Sequence, residues 1–315
     1  MKKYFALFMV SAILLSFVAC SSDRNDTSGS LETISIGVLP DVDSIPLIIA
    51  DKNGYFKEEG VEVDIQHFKS APDRDSALQS GNIDGAVSDI LAAAFANDGG
   101  FKVKITSLTN GTYKLLVNKD KGIKDIQALK GKSIAISTNT IIEYATDKML
   151  EEGGLKPEDV HKVAIPQIPT RLEMLQNGKI DAATLPDPLA SVAVKDGAAL
   201  LNSTDKMGIN PGVLLFTQDA IDKKSASIKA MYGAYDKAVE YLKKEPVSSY
   251  ADVLINDVGF PEGIEDSISL PAYTQVTLPS QKDFDDVIKW LTDKKLIKNS
   301  YEFEQLVDGR FVKQP

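Results

Sequence analysis

Leu78-Gln79-Ser80-Gly81-Asn82-Ile83-Asp84-Gly85-Ala86 returns, lightly altered, as Leu175-Gln176-Asn177-Gly178-Lys179-Ile180-Asp181-Ala182-Ala183. The offset is 97 positions, from Ile83 to Ile180, too long for a solenoid repeat and about the length of one small α/β lobe. Each copy reads as a helix-to-strand joint: a helix ends, Gly81 or Gly178 supplies a left-handed cap, and a short buried strand begins at Ile83 or Ile180. The chain therefore divides into two similar halves.

The residues upstream of each copy agree. A β-rich run at 34–39 precedes a polar loop, a helix from about Ser44 and a strand at 61–65; a run at 133–137 precedes a loop, a helix from about Thr140 and a strand at 162–165. Both halves read β-α-β-α-β, an alternation that favours parallel strands with helical crossovers. In open sheets of this kind ligands bind beyond the carboxyl ends of the strands. The reading is an α/β protein of two similar doubly wound lobes joined by two hinge crossings, with one cleft between them. Asn110-Gly111-Thr112 and Asn210-Pro211-Gly212 are the candidate crossings, and ordinary turns are the alternative. The borders are drawn at residues 31–111 with 223–315 for the first lobe and 112–222 for the second. Helices are predicted in the tail at 226–243, 247–255 and 282–296, with Trp290 in core.

Residues 1–22 read as a targeting leader, with Lys2 and Lys3 at its start and an apolar run at 4–18. The run ends in Phe17-Val18-Ala19-Cys20, which resembles a bacterial lipobox with Phe17 where Leu is usual; a plain secretory cleavage site is the alternative. Cys20 is the only cysteine in the chain. It has no internal disulfide partner, and acylation at the new amino terminus removes an exposed thiol from an oxidising compartment. Residues 23–30 lack apolar side chains and read as a flexible tether. The expected location is extracytoplasmic, held to a lipid bilayer through acylated Cys20. Loss of Lys2 and Lys3 takes the net charge from −10 to −12, which argues against nucleic acid as a partner.

Motifs for catalysis are thin. Gly131-Lys132-Ser133 has the ending of a phosphate loop, but the first glycine falls on Ile126 and the triplet precedes a strand instead of following one. His67 and His161 sit at strand edges without ligand spacing, and a nucleophile elbow is not found. No cofactor is expected. What remains is a set of polar strand tips: Asp41, Asp43 and Ser44; Ser88 and Asp89; Thr109 and Asn110; Ser137, Thr138, Asn139 and Thr140; and Asp187. Each also fits a helix cap, such as the capping box of Thr140 and Glu143. Their clustering at strand ends is what points to a binding cleft.

Gly54-Tyr55-Phe56-Lys57-Glu58-Glu59-Gly60-Val61-Glu62-Val63, the repeated phrase, and Leu129-Lys130-Gly131-Lys132-Ser133-Ile134-Ala135 with the Thr-rich loop after it resemble the substrate-binding lipoproteins of ABC importers. The branch is that of the nitrate/sulfonate/taurine and thiamine-precursor (NMT1/THI5-like) binders, and the resemblance runs from about residue 34 to 217. It implies the type II periplasmic-binding fold and capture of one small organic solute. A permease and its ATPase then take the solute from a monomeric binding protein. Carried over by position, ligand contacts fall on Asp41, Asp43, Ser44, Ser88, Asp89, Ser137 to Thr140, Tyr144 and Asp187.

This chain departs from oxyanion binders by setting Asp41, Asp43, Asp89, Glu143 and Asp187 near one mouth, with Arg171 as the nearest cation. The expectation is a neutral or cationic solute, stacked on Tyr113 or Tyr144 and read by a carboxylate. The rival readings are an enzyme on the same scaffold, using Asp or Glu as a general base, and a tethered adhesin. The cysteine-rich iron run of the eukaryotic pyrimidine synthases has no counterpart here.

Overall fold

The computed structural model describes residues 31–262 and 270–313; the expected leader and tether, Cys20 included, lie outside them. The first lobe begins with β1 (Ile34–Val38), α1 (Ile45–Lys52), a one-turn α2 (Tyr55–Glu58), β2 (Val63–His67), α3 (Ala71–Gln79), β3 (Gly85–Asp89), α4 (Ile90–Asp98) and β4 (Val103–Leu108). The second contains β5 (Tyr113–Val117), β6 (Ser133–Ile136), α5 (Ile141–Glu152), β7 (His161–Ala164), α6 (Ile168–Gln176), β8 (Ala182–Pro186), α7 (Leu189–Lys195) and β9 (Ala199–Ser203). The chain then returns through β10 (Gly212–Thr217), α8 (Gln218–Lys223), α9 (Ser225–Lys244), α10 (Ala251–Val253), α11 (Gln281–Asp293) and α12 (Phe303–Leu306).

Two five-stranded sheets result, ordered β2-β1-β3-β10-β4 and β7-β6-β8-β5-β9. The first three strands of each order are parallel, as the alternation predicts. The fourth is not. β10 runs antiparallel to β3 and β4, and β5 antiparallel to β8 and β9, so both sheets are mixed. The reversed strand in each sheet is the one that has just crossed from the other lobe. This moves the border drawn at 222: residues 212–217 belong to the first sheet, and the return crossing falls immediately before β10. Val213, Leu214, Leu215 and Phe216 are all buried, and an apolar run of that kind needs a central slot covered on both faces. The π turn at Leu254–Val258 and a 3₁₀ turn break up the predicted 247–255 helix.

The repeated phrase does what its residues require. Gly81 and Gly178 have φ of 76° and 64°, and their N–H groups donate to Leu78 O and Leu175 O, both at 3.1 Å. The aspartate that follows has a role the sequence did not reveal. Asp84 Oδ2 accepts from Ser35 N and Oγ at 2.8 and 3.1 Å, and Asp181 Oδ2 accepts from Ser133 N and Oγ at 2.9 and 2.8 Å. These twin clips tie the last strand of each βαβαβ unit to its first, at the amino-terminal ends, away from the cleft.

One apolar core lies beneath α1 and α9 in the first lobe and another beneath α6 and α7 in the second. A third runs between the lobes and includes α4, α5 and α11. Trp290 on α11 is core, as expected, and its ring meets Tyr144 of α5 edge-on at 5.7 Å. Its indole N–H donates to the buried Asp147 at 3.1 Å. The tail thus packs on the first lobe and also grips the second.

Candidate functional site

The carboxyl ends of β1, β3, β6 and β8 face one enclosed cavity, where parallel strands are expected to bind ligands. The first lobe contributes Asp41, Asp43, Asp89 and Arg74; the second contributes Tyr113, Ser137, Thr140, Ile142, Ile168 and Arg171. About 30 Å³ is left to the centres of water-sized molecules, so the cavity is small. The lobes are drawn together in this arrangement.

Three carboxylates are held at a disadvantage. Burial raises Asp41 well above the usual range, and the charge of Asp43 adds to the effect. Burial likewise raises Asp43 to about 6, opposed by a 2.6 Å hydrogen bond from Thr109 Oγ1, and raises Asp89 to about 6, opposed by Arg74. Asp89 also caps α4, accepting from Ala92 N at 2.8 Å. Asp41 Oδ1, Asp43 Oδ2, Ser88 Oγ and Ser137 Oγ are buried without a partner among the described residues.

The acidic mouth expected from the sequence is largely neutralised by cations distant along the chain. Arg74, 2% exposed, stands beside Asp41 and Asp89; burial weakens its charge, but Asp75, Asp89 and Asp41 outweigh that and raise it. Lys114 pairs with Asp187. Lys162 and Lys294 reach Glu143 at 2.9 and 2.6 Å. The expectation that Arg171 is the nearest cation therefore overlooks four others. Arg74 was within reach of the repeat, because 74 and 171 are also 97 apart. Applying the offset to the helices as well as to the phrase finds it.

Of the candidate residues, Asp41, Asp43, Asp89, Ser137 and Thr140 line the cavity. Ser44 is turned to the backbone, donating to Asp41 O at 2.8 Å. Ser88 is buried close by. Thr138 is exposed, and Asn139, at φ 56°, borders a neighbouring cavity that Asp89 and Thr140 share. Three candidates stand elsewhere. Asn110 Oδ1 accepts from Thr274 N and Oγ1 at 2.9 and 3.1 Å, pinning the tail to the first crossing. Tyr144 is packed against Trp290. Asp187 Oδ1 accepts from Ser191 N and Oγ at 3.0 and 2.7 Å while its other oxygen pairs with Lys114. Of the two stacking candidates, Tyr113 alone reaches the cavity.

A Brachyspira hyodysenteriae protein named an ABC transporter periplasmic binding protein is 25% identical over 268 residues, 80% of this chain and 77% of its own. A Bacillus subtilis protein named an aliphatic sulfonates-binding protein is 24% identical across 100% of this chain and 97% of its own. A Saccharomyces cerevisiae 4-amino-5-hydroxymethyl-2-methylpyrimidine phosphate synthase is 26% identical over 67% of this chain and 66% of its own. In structure, the alkanesulfonate-binding protein of Xanthomonas axonopodis pv. citri bound to MOPS superposes with a TM-score of 0.76 at 17% identity, over 88% of this chain and 98% of that one; the two share the type II periplasmic-binding fold. The family model described as NMT1/THI5 like matches residues 41–249, two thirds of the chain and nearly all of the cavity lining, and the protein belongs to that family.

Proposed function

We propose that the protein is the solute-capturing component of an ABC importer, closing its two lobes over a small organic solute and delivering it unchanged to a permease driven by an ATPase. One observation carries this reading: an enclosed cavity at the strand tips, walled by both lobes and lined by residues with buried polar atoms that have no partner among the described residues. Such atoms are costly to bury unsatisfied, and a solute that meets several of them at once favours the closed state over the open one by its differential affinity. The relatives named as binding proteins support the same role. Asp41, Asp43, Asp89, Ser137 and Thr140 are the contacts we assign, with Tyr113 as the aromatic wall. The protein acts as a monomer on the extracytoplasmic side of a membrane, anchored through acylated Cys20 with residues 23–30 as its tether.

The relationship to a synthase favours one rival, an enzyme on this scaffold. Calorimetry with taurine, an alkanesulfonate, nitrate and an aminopyrimidine, followed by recovery and mass analysis of the bound compound, separates the two. Saturable one-to-one binding with the compound recovered intact supports capture; conversion of the compound with turnover refutes it. Labelling with radioactive palmitate tests the anchor: the wild type takes up label and Cys20→Ser does not.

A further inference from the structure

Arg74 and Arg171 occupy matching positions in the two halves, on α3 and α6, and both line the cavity. Each spends Nη1 on a backbone carbonyl, Arg74 on Val87 O and Arg171 on Ile165 O, both at 2.9 Å. They differ at the remaining edge of the guanidinium. In Arg74, Nε and Nη2 grip Asp75 Oδ1 at 2.9 and 2.7 Å. The position matching Asp75 in the second half is Leu172, and Arg171 Nε and Nη2 are buried without a partner among the described residues. Arg171 is 0% exposed. Burial alone lowers it to about 9. One lobe thus carries an acceptor within the chain for this fork, and the other leaves the same fork without one, on a residue that lines the cavity. In the first lobe, Asp41 Oδ1 and Asp43 Oδ2 are the complementary case, buried acceptors without donors among the described residues, with Asp43 Oδ2 beside Gly111.

We propose that the solute is amphoteric: a carboxylate, sulfonate or like oxyanion seated on the Nε and Nη2 edge of Arg171, and a protonated nitrogen on the carboxylates of Asp41 and Asp43. The proposal rests on the solute-capture reading and names the chemical class of the solute. It replaces the neutral or cationic solute expected from the sequence, because the mouth is not uniformly acidic. The arrangement also couples binding to closure. The anionic pole belongs to the second lobe and the cationic pole to the first, so only a solute that spans both supplies each buried charge with its counterion. Charge-assisted hydrogen bonds of this geometry are the strong ones, and a buried charge without its partner is strongly unfavourable.

The test is calorimetry on the purified protein with matched probes: taurine and β-alanine carry both poles, propane-1-sulfonate the anion alone, propylamine the cation alone, and 4-aminopyrimidine a heterocycle without an oxyanion. Native mass spectrometry after exposure to an extract of host growth medium identifies any retained solute. The expected result is that the tightest probe or the retained solute carries both poles. Arg171→Leu then weakens it about 100-fold without lowering the thermal midpoint of the solute-free protein, which a purely structural arginine would lower. Asp41→Asn weakens taurine at least about tenfold and leaves propane-1-sulfonate unchanged.

Leu172→Asp supplies the acceptor that Asp75 supplies in the first lobe and abolishes oxyanion binding, whereas Leu172→Asn does not. This pair keeps the test decisive where Arg171→Leu fails to fold. Tight binding of a one-poled or neutral solute, or equal affinity in wild type and Leu172→Asp, overturns the proposal and leaves solute capture standing. A protein that binds no probe and retains nothing from the extract overturns both.

Discussion

Replacing Asp43 by Asn removes a charge that the fold holds at a disadvantage, and the structure sets the size of the effect. The side chain is 2% exposed; Oδ1 accepts from Thr109 Oγ1 at 2.6 Å. Burial is the largest influence on its titration and, with Asp89, outweighs the Thr109 bond and Arg74 to bring the carboxyl from 3.8 to about 6. A carboxyl whose pKa is higher in the folded than in the unfolded state keeps its proton longer in the native protein. Stability is therefore lost as pH rises from about 4 through about 6. At about 1.4 kcal/mol per pKa unit, the penalty reaches about 3 kcal/mol at neutral pH.

Asn retains an oxygen for Thr109 and carries no charge. The stability of Asp43→Asn relative to wild type should rise by about 3 kcal/mol between about pH 4 and pH 7.5. Relief of the repulsion on Asp41 and Asp89 adds to the rise. Urea unfolding of both proteins across that range measures it. Taking the difference cancels groups such as Glu143 and Asp181, whose pKa values are lowered in the fold and whose stabilisation is lost as pH falls. A difference that stays flat, or that shrinks as pH rises, refutes the reasoning. The expected result marks Asp43 as a residue kept at the expense of stability, the usual mark of a ligand-facing group.

Other outcomes follow from the same geometry. Asp147, 1% exposed, accepts from Trp290 Nε1 and Lys294 Nζ and has Lys162 Nζ 2.5 Å from Oδ1 in a charge contact outside hydrogen-bond geometry. Asp147→Ala leaves Trp290 Nε1 unpaired and takes one of their two carboxylates from Lys162 and Lys294; it should cost about 3 kcal/mol in chemical denaturation, freeing α11 from the second lobe. Asp187→Ala breaks the Lys114 pair and the contacts to Ser191; it should lower stability by about 2 kcal/mol and alter solute affinity less than about twofold. That reverses the balance expected for a cleft contact, and calorimetry beside urea unfolding reads both effects. Ser35→Ala and Ser133→Ala remove the hydroxyls of the twin clips and should each cost about 1–2 kcal/mol, matching each other to within about 0.5 kcal/mol in paired unfolding curves.

What the sequence disclosed was local. The glycine caps, the helix starts near Ser44 and Thr140 and the polar strand tips are written in neighbouring residues, and the structure has them where spacing puts them. What it withheld depends on pairs far apart. β5 and β10 read as ordinary strands, and only partners found across the chain fix their direction; the parallel expectation failed at that point, taking the border at 222 with it. The charge of the mouth was misjudged for the same reason. Asp187 and Glu143 look free in the sequence because Lys114 lies 73 positions from the one and Lys294 lies 151 positions from the other. Tyr144 was misplaced by its closeness to the Thr140 tip, since a helix that starts at the cleft carries its next turn toward a different neighbour, here Trp290. Arg171 and Arg74 show their difference only when set side by side, one fork held by Asp75 and the other without a partner among the described residues.

The distance between the two lobes in solution reports whether they shut on a guest molecule. Gln79 on α3 and Gln176 on α6 are exposed, matching positions of the two halves. Spin labels at Gln79→Cys and Gln176→Cys, in a Cys20→Ser background, report that distance by pulsed electron resonance. Without solute the distribution should be broad and include separations longer than the structure's, and with saturating solute it should collapse to a single narrow population at the structure's separation. Identical distributions in the two conditions, at solute concentrations where calorimetry shows the site filled, would contradict it.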